Sequence, residues 1–383
     1  MNIIIFSTDD FLHPAGGAER AIADITKRLQ GISFDLICAK LRRGVPLTET
    51  IGNVTIHRIG VGIPIVDKLL LPILGCIKVW RLRRKKKIHV FWVMMVSFAG
   101  IAAYLHNLFC PNKRIPIVQT IQEGDSKDHI RYARGGLIHR GWSFALSSAN
   151  RVTVISHYLE GLVRAYGFRG RIDFVPNGVD VEMFQRRNRE EEERIKKKYN
   201  LSSFETVLVT TSRLEKKNAV GDIIKSLEHL QKNTALLILG DGSLRKELEV
   251  LAEKRDFSKN VFFLGYKKHE EIPPYLHVSD IFVRPSLSEG MGNSFLEAMA
   301  AGIPVIGTPV GGIVDFLKDG ETGFLSRPGD PKELARAIEK VSSLSDEERE
   351  AITTRALREV EGTYEWSTVA EKMEEIFKEI GTM

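Results

Sequence analysis

The sequence predicts an α/β protein of two domains, each a parallel sheet with helices on its faces. Three observations carry that expectation. The chain has 383 residues, more than one ordinary hydrophobic core accommodates. Short β-branched apolar runs alternate with segments of helical periodicity along its whole length, the order that builds parallel sheets with right-handed crossovers. The alternation also restarts after a charge-rich stretch, Gln185 to Asn200, which marks a boundary. Hydrophobic residues at 43%, charged residues at 27% and a net charge of +6 describe a globular chain and exclude a disordered one.

In order, Asn2 to Ser7 reads as a strand, Thr8 to Gly17 as a loop and Ala18 to Leu29 as a helix. Gly16-Gly17 at the helix opening offers free amides to a phosphate. The pair lacks the lysine of a P-loop and the spacing of a dinucleotide fingerprint, and alone it more often marks a plain turn. Phe34 to Ala39 and Val54 to Ile59 read as further strands.

Residues 61–110 are ambiguous. Val66 to Ile77 is apolar around Pro72, and Lys78, Arg81, Arg83, Arg84, Lys85, Lys86 and Lys87 form a basic run without an acid. Ile88 to Cys110 then carries no Lys, Arg, Asp or Glu. A membrane span needs about 20 apolar residues, and basic flanks suit a cytoplasmic boundary. His89, Ser97, Gly100, His106 and Asn107 interrupt the segment, however, and a strand-like run, Ile115 to Ile121, follows at once. We therefore read a buried strand, Val90 to Val93, and a core helix from about Ser97 to Leu108. The basic run is either a solvated helix face or, with Leu69-Leu70-Leu71, a patch from Leu69 to Lys87 that docks on anionic lipid. Trp80 is its one aromatic residue, which argues against nucleic acid as a partner.

Gln122-Glu123-Gly124-Asp125 is a polar loop at a strand's carboxyl end, where open α/β sheets bind ligands. Arg151 to Ser156 and Ile172 to Val175 are strands, the latter running into Pro176-Asn177-Gly178-Val179-Asp180. Glu192 and Glu193 stand four residues before Lys196 and Lys197, the spacing of a solvated helix with i,i+4 pairs. In the second half, Val207 to Thr211 leads into Ser212-Arg213-Leu214-Glu215-Lys216-Lys217-Asn218, whose cations are ready to meet an anion. Ala235 to Leu239 ends in Gly240-Asp241-Gly242, and Val261 to Leu264 in Gly265-Tyr266. Ile281 to Val283 is a strand, and Ser288 to Asn293 a loop in which Gly290 and Gly292 let backbone approach a bound group. Glu289 and Glu297 bracket that loop. Ser294-Phe295-Leu296-Glu297 has the spacing of a capping box, which assigns Glu297 a structural role, whereas Glu289 needs no cap and points to a ligand. Trp366 to Ile380 closes the chain as an amphipathic helix. Cys38, Cys76 and Cys110 lie far apart in apolar contexts without a ligand pattern, as buried thiols of a reducing compartment would, and the first residues lack a secretory pattern.

Glu289 and Glu297, with seven residues between them in the run from Pro285 to Gly312, stand together with Gly16-Gly17-Ala18-Glu19, Pro176-Asn177-Gly178-Val179-Asp180, Ser212-Arg213-Leu214 and Gly240-Asp241-Gly242. That ordered set, covering nearly the whole chain, resembles the family-four (group 1) glycosyltransferases of the GT-B fold. The resemblance implies two Rossmann-like domains facing across a cleft. Residues 1–185 would bind the acceptor, with helix 366–383 returning to them, and residues 186–365 would bind a nucleotide-sugar. It implies retaining transfer of a hexose-type sugar from a UDP- or GDP-linked donor to a glycan or lipid-linked acceptor, with no metal or other cofactor. Arg213 and Lys217 would neutralise the departing diphosphate, helped by the amides at Gly16 and Gly17. Glu289 and the backbone of Gly290, Met291, Gly292 and Asn293 would hold the sugar, Glu297 the ribose, and the loops at Gly240, Gly242 and Tyr266 the base. Two departures stand out: Gln122 occupies a position where many members have histidine, leaving its amide or Glu123 to act, and Lys216 competes with Lys217. The expected location is cytoplasmic, or peripheral on the cytoplasmic face of the membrane. A sugar-nucleotide epimerase or hydrolase, and a non-catalytic membrane- or polyanion-binding relative, remain as alternatives.

Overall fold

The computed structural model describes residues 1–12, 16–123, 137–231 and 233–382. The chain divides into two compact units, Met1–Asn177 with Trp366–Met383, and Gly178–Glu365.

The first unit is built on β1 (Asn2–Phe6), β2 (Ser33–Ala39), β3 (Thr48–Ile51), β4 (Val54–Ile59), β5 (Val90–Met94), β6 (Ile117–Ile121), β7 (Arg151–Val154) and β8 (Ile172–Phe174). Their order is β3-β4-β2-β1-β5-β6-β7-β8, parallel except where β3 pairs antiparallel with β4. Ile3, Ile4, Ile5 and Phe6 are all buried, which is why β1 reads as a continuous apolar run: a central parallel strand has helices on both faces. Helix α1 (Gly17–Arg28) and the helix Trp366–Gly381 share one core with Phe34 and Trp92, whose rings meet Phe377 at 6.4 and 5.3 Å. On the other face lie α2 (Pro64–Arg83) and α3 (Phe98–Phe109). Residues 88–109 thus form the buried strand and core helix expected. Among the described residues no helix is long and apolar enough to cross a membrane.

Helix α2 runs unbroken through Pro72 and is turned the unusual way round. Its inner face carries Asp67, Leu71, Gly75, Val79 and Leu82. Its outer face shows Ile65 (75% exposed), Leu69 (61%), Ile73 (62%) and Trp80 (47%). Buried Asp67 accepts from the amides of Leu41, Val61 and Gly62 at 2.7–3.1 Å, so its charge is fully used to pin the entry loop. The basic run is less free than its letters suggest. Arg83 donates to His106 Nε2 at 2.8 Å, where burial and the guanidinium's own charge keep the imidazole pKa low and the ring neutral. Lys86 pairs with buried Asp35 at 2.7 Å, and Arg84 stacks on the Trp80 ring at 3.5 Å. Arg81, Lys85 and Lys87 remain exposed. Of the three cysteines only Cys38 is fully buried; Cys76, on the flank of α2, and Cys110 are partly exposed, which corrects the expectation for those two.

The second unit holds β9 (Thr206–Thr211), β10 (Thr234–Leu239), β11 (Val261–Gly265), β12 (Ile281–Val283), β13 (Val305–Gly307) and β14 (Phe324–Leu325), all parallel in the order β11-β10-β9-β12-β13-β14. The charged stretch was expected to open this unit at residue 186. The unit begins earlier because Asp180 caps the short helix Val181–Gln185 and buried Phe184 packs edge-on against His269 at 5.0 Å. The expected Glu192–Lys196 pair does not form. Glu192 is buried and binds Arg187 through both carboxylate oxygens at 2.9 and 2.5 Å, while Glu193 pairs with Lys196 one position nearer than expected.

Candidate active site

In the second sheet the strand order reverses between β9 and β12, since β10 and β11 extend to one side and β13 and β14 to the other. Loops at the carboxyl ends of two such strands diverge, and a ligand can sit where they part. Those loops are Ser212–Asn218 and Arg284–Gly292, which hold Arg213, Lys217, Glu289, Gly290, Met291 and Gly292 of the residues singled out above.

The first loop is clasped by the end of β10. Ser212 donates its amide to the Leu239 carbonyl at 3.0 Å, Leu214 to that of Asp241 at 3.0 Å, and Leu244 to that of Leu214 at 3.0 Å. Gly240, at φ +137°, allows this approach: a Cβ there would overlap the Ser212 carbonyl, and one on Gly242 would lie 2.6 Å from the Leu214 carbonyl. Gly240 and Gly242 therefore seat the cation-bearing loop. Arg213 and Lys216 are exposed and Lys217 is partly buried. Glu215 accepts from the Ser243 hydroxyl and amide, which hold its carboxyl below the usual range, with the charges of Arg213 and Lys217 adding to the effect.

The second loop is tied to the first. The Leu287 amide donates to the Lys217 carbonyl at 2.7 Å. Arg284 donates to Glu289 Oε2 at 2.6 Å, to Asn218 Oδ1 at 3.0 Å and to Ser294 Oγ at 2.6 Å. The capping box expected at Ser294 is absent. The helix Asn293–Ala300 starts from Gly292, in left-handed conformation, with no side-chain cap. Ser294 thus lies inside the first turn and serves Arg284, while Glu297 pairs with His269 Nε2 at 2.8 Å. Met291 is buried together with Gly290 and Gly292, and Asn293 is partly exposed. Tyr266, just beyond β11, is 60% exposed.

Arg284, Asn218 and His269 had not been singled out. The sequence signal for Arg284 was a lone arginine ending an apolar strand before Pro285; for the other two there was none. The hydroxyls of Thr211, Ser212 and Ser286 and Nε of Arg284 are buried and make no hydrogen bond within the protein. Each such group left unpaired costs about 1–3 kcal/mol, and these four gather at the ends of β9 and β12, where a polar ligand can satisfy them.

In the first unit the strand order reverses between β1 and β5. Gly16 caps α1 and Gly17 opens it, both exposed, and a Cβ on Gly16 would stand 3.1 Å from the Glu19 carboxylate. At the end of β6, Glu123 is buried and accepts from the Val96 amide at 2.5 Å and the Gln122 amide at 2.9 Å. Its carboxylate joins two strand ends, whereas Gln122 Oε1 accepts from Asn177 Nδ2 at 3.4 Å. Gly124 and Asp125 lie outside the described residues.

Residues 15–183 match the family model described as Glycosyltransferase Family 4, and residues 191–359 the one described as Glycosyl transferases group 1. The chain belongs to this family. Among relatives, a putative teichuronic acid biosynthesis glycosyltransferase of Bacillus subtilis is 30% identical over 226 residues, 59% of this chain and 54% of its own length. A GDP-mannose-dependent monoacylated phosphatidylinositol monomannoside mannosyltransferase of Corynebacterium glutamicum is 29% identical over 239 residues, 59% and 61% of the two chains. The chain thus spans little more than half the length of these relatives. Solved structures agree in fold: sucrose-phosphate synthase of Thermosynechococcus elongatus superposes with a TM-score of 0.84 at 19% identity, covering 99% of this chain and 98% of that one. HepE of Anabaena, solved with UDP-glucose, does so with 0.78 at 18% identity, covering 99% and 100%. The two parallel-sheet units of this family-four chain are the Rossmann-like domains of the GT-B fold.

Proposed function

We propose that the protein is a retaining glycosyltransferase that moves a hexose-type sugar from a nucleotide-diphosphate sugar to a glycan or lipid-linked acceptor of the cell surface. The observation that carries this reading is the gathering of Arg213, Lys217 and Glu289, on two loops tied to each other by hydrogen bonds, with Glu297 on the helix that follows, at one end of the second sheet. Arg213 and Lys217 stabilise the charge that develops on the departing diphosphate. Glu289 and the backbone of Gly290 to Asn293 hold the sugar hydroxyls, and Glu297, steadied by His269, takes the ribose hydroxyls. Tyr266 and the loop at Gly240 and Gly242 border the base. The bond from the anomeric carbon to the phosphate oxygen breaks as the acceptor oxygen bonds on the same face. The acceptor's proton passes to that phosphate oxygen, so no protein nucleophile and no metal enters the proposal.

HepE was solved with UDP-glucose and the Corynebacterium relative is GDP-mannose-dependent, which together set the donor panel. Incubating the purified protein with each donor and a lipid-extract acceptor should yield a glycosylated product whose anomeric configuration, read by NMR, equals the donor's. Inverted product contradicts retention, and complete turnover to a free sugar or epimer without acceptor favours the epimerase or hydrolase.

A second partner is proposed from α2: an anionic membrane surface at the cytoplasmic face. The outward Ile65, Leu69, Ile73 and Trp80 supply an interfacial apolar stripe, and Arg81, Lys85 and Lys87 the charge, since Arg83 and Lys86 serve the fold. Each basic residue near an anionic surface is worth about 1 kcal/mol. Changing Arg81, Lys85 and Lys87 to Gln should therefore weaken cosedimentation with phosphatidylglycerol vesicles by roughly 100-fold, with melting temperature retained. Equal cosedimentation of wild type and variant contradicts the proposal.

A further inference from the structure

We infer that Arg284 is a positioning residue for transfer, holding Glu289 and the Arg213 loop in register. The inference rests on the donor-site reading of Glu289 and Arg213 above. Arg284 directly follows β12, the strand beside β9 at the reversal of the second sheet, and its side chain is only 11% exposed. An apolar strand end needs no arginine there, and burying a guanidinium is costly unless its donors are used. The two terminal nitrogens are used on three separate segments, and Nε alone has no partner in the protein. One terminal nitrogen is shared between Glu289 Oε2 at 2.6 Å and Asn218 Oδ1 at 3.0 Å, and the other reaches Ser294 Oγ at 2.6 Å. Buried Asn218 in turn donates to the Arg213 carbonyl at 2.5 Å.

A continuous path therefore runs from the carboxylate assigned to the sugar, through Arg284 and Asn218, to the backbone of the arginine assigned to the diphosphate. The distance between those two groups decides whether the anomeric carbon and the leaving phosphate are both held correctly. A planar fork fixes that distance as a point charge on a flexible stem cannot. Glu289 Oε2 accepts from Arg284, and carboxylate oxygens offer a sugar acceptors only, so the transferred sugar must present hydroxyl donors to them. Both terminal nitrogens of the guanidinium are taken by protein groups, and through them Arg284 acts on Glu289 and Arg213.

The test is a double-mutant cycle in the full-length protein. Wild type, Arg284→Met, Arg284→Lys, Glu289→Gln and the Arg284→Met/Glu289→Gln double variant are compared for kcat and KM with UDP-glucose, UDP-N-acetylglucosamine and GDP-mannose. Affinity for UDP and GDP and the melting temperature are measured beside them. Expected for Arg284→Met is a fall in kcat of roughly 100-fold, the size of a misplaced reacting group. Nucleoside diphosphate affinity should stay within about threefold. The double variant should be no slower than the slower single variant, because both changes remove one arrangement. Arg284→Lys should recover at least about tenfold of the loss. Should Arg284→Met not fold, the same cycle is run with Arg284→Lys, whose smaller penalty must likewise vanish beside Glu289→Gln. An Arg284→Met enzyme within threefold of wild type overturns the inference, as do penalties that multiply in the double variant. A wild type that turns over no nucleotide-sugar overturns the donor reading along with it.

Discussion

Arg213→Ala is expected to lower kcat for sugar transfer by about 10²–10³-fold, the range found when one preorganised charge or donor at a developing anion is removed. Its side chain is exposed at the end of β9, while its carbonyl is what holds the loop, accepting from Asn218 at 2.5 Å. Truncation therefore leaves the clasp onto Gly240 to Gly242 intact, and the melting temperature should stay within about 2 °C of wild type, as for most surface substitutions. Lys217→Ala should act in the same direction. The two together should cost less than the product of the single losses, since both charges act on one leaving group. Steady-state turnover of a labelled donor beside thermal melting checks this. An undiminished kcat in Arg213→Ala removes the diphosphate role from this loop.

Gly311→Ala is expected to damage both stability and turnover. Gly311 sits at φ +57°, where an L-residue is strained by roughly 1–2 kcal/mol, and a Cβ there would overlap the carbonyl oxygen of Glu289. The obstructing atom is backbone on a loop already bound to Lys217 and Arg284, so it cannot swing aside as a side-chain tip would. A loss of at least about 2 kcal/mol is expected, equivalent to roughly 4–8 °C in melting temperature for a domain of this size. kcat should fall more than about tenfold because Glu289 is carried out of place. Gly362→Ala is the control: it has no neighbour within 4 Å of the added carbon and no positive φ, so it should change neither quantity. A Gly311→Ala protein that melts and turns over like wild type contradicts the placement of Glu289 against that turn.

Strand positions were legible because strands buried on both faces leave unbroken apolar runs, such as Ile3 to Phe6 and Ala235 to Leu239. Residues 88–109 were readable as strand and helix for a related reason: the interrupting polar groups, His106 and Asn107 among them, find partners inside the fold. The capping box failed because a local pattern lost to a distant partner. Arg284, ten residues away, takes the Ser294 hydroxyl, and His269, 28 residues away, takes Glu297. Arg284 and Asn218 meet across 66 residues, a separation that no spacing rule reaches. The basic run misled differently, since nothing in seven cations shows that Arg83 faces His106 and that Lys86 reaches Asp35. Gly240 was recognised as a loop glycine but answers to the Ser212 carbonyl, and Gly311, which had not been singled out, answers to that of Glu289.

Under the proposed function the second unit holds a nucleotide-diphosphate sugar at Arg213 and Lys217. A thermal-shift titration with UDP, GDP and their common sugar conjugates tests it most directly, because a ligand that binds only the folded chain raises its melting temperature. The account predicts a saturable rise with one nucleotide series, about 2.7 kcal/mol of added stability at a ligand concentration 100 times Kd, and its loss in Lys217→Ala. No rise with either series would contradict it and favour the non-catalytic binder.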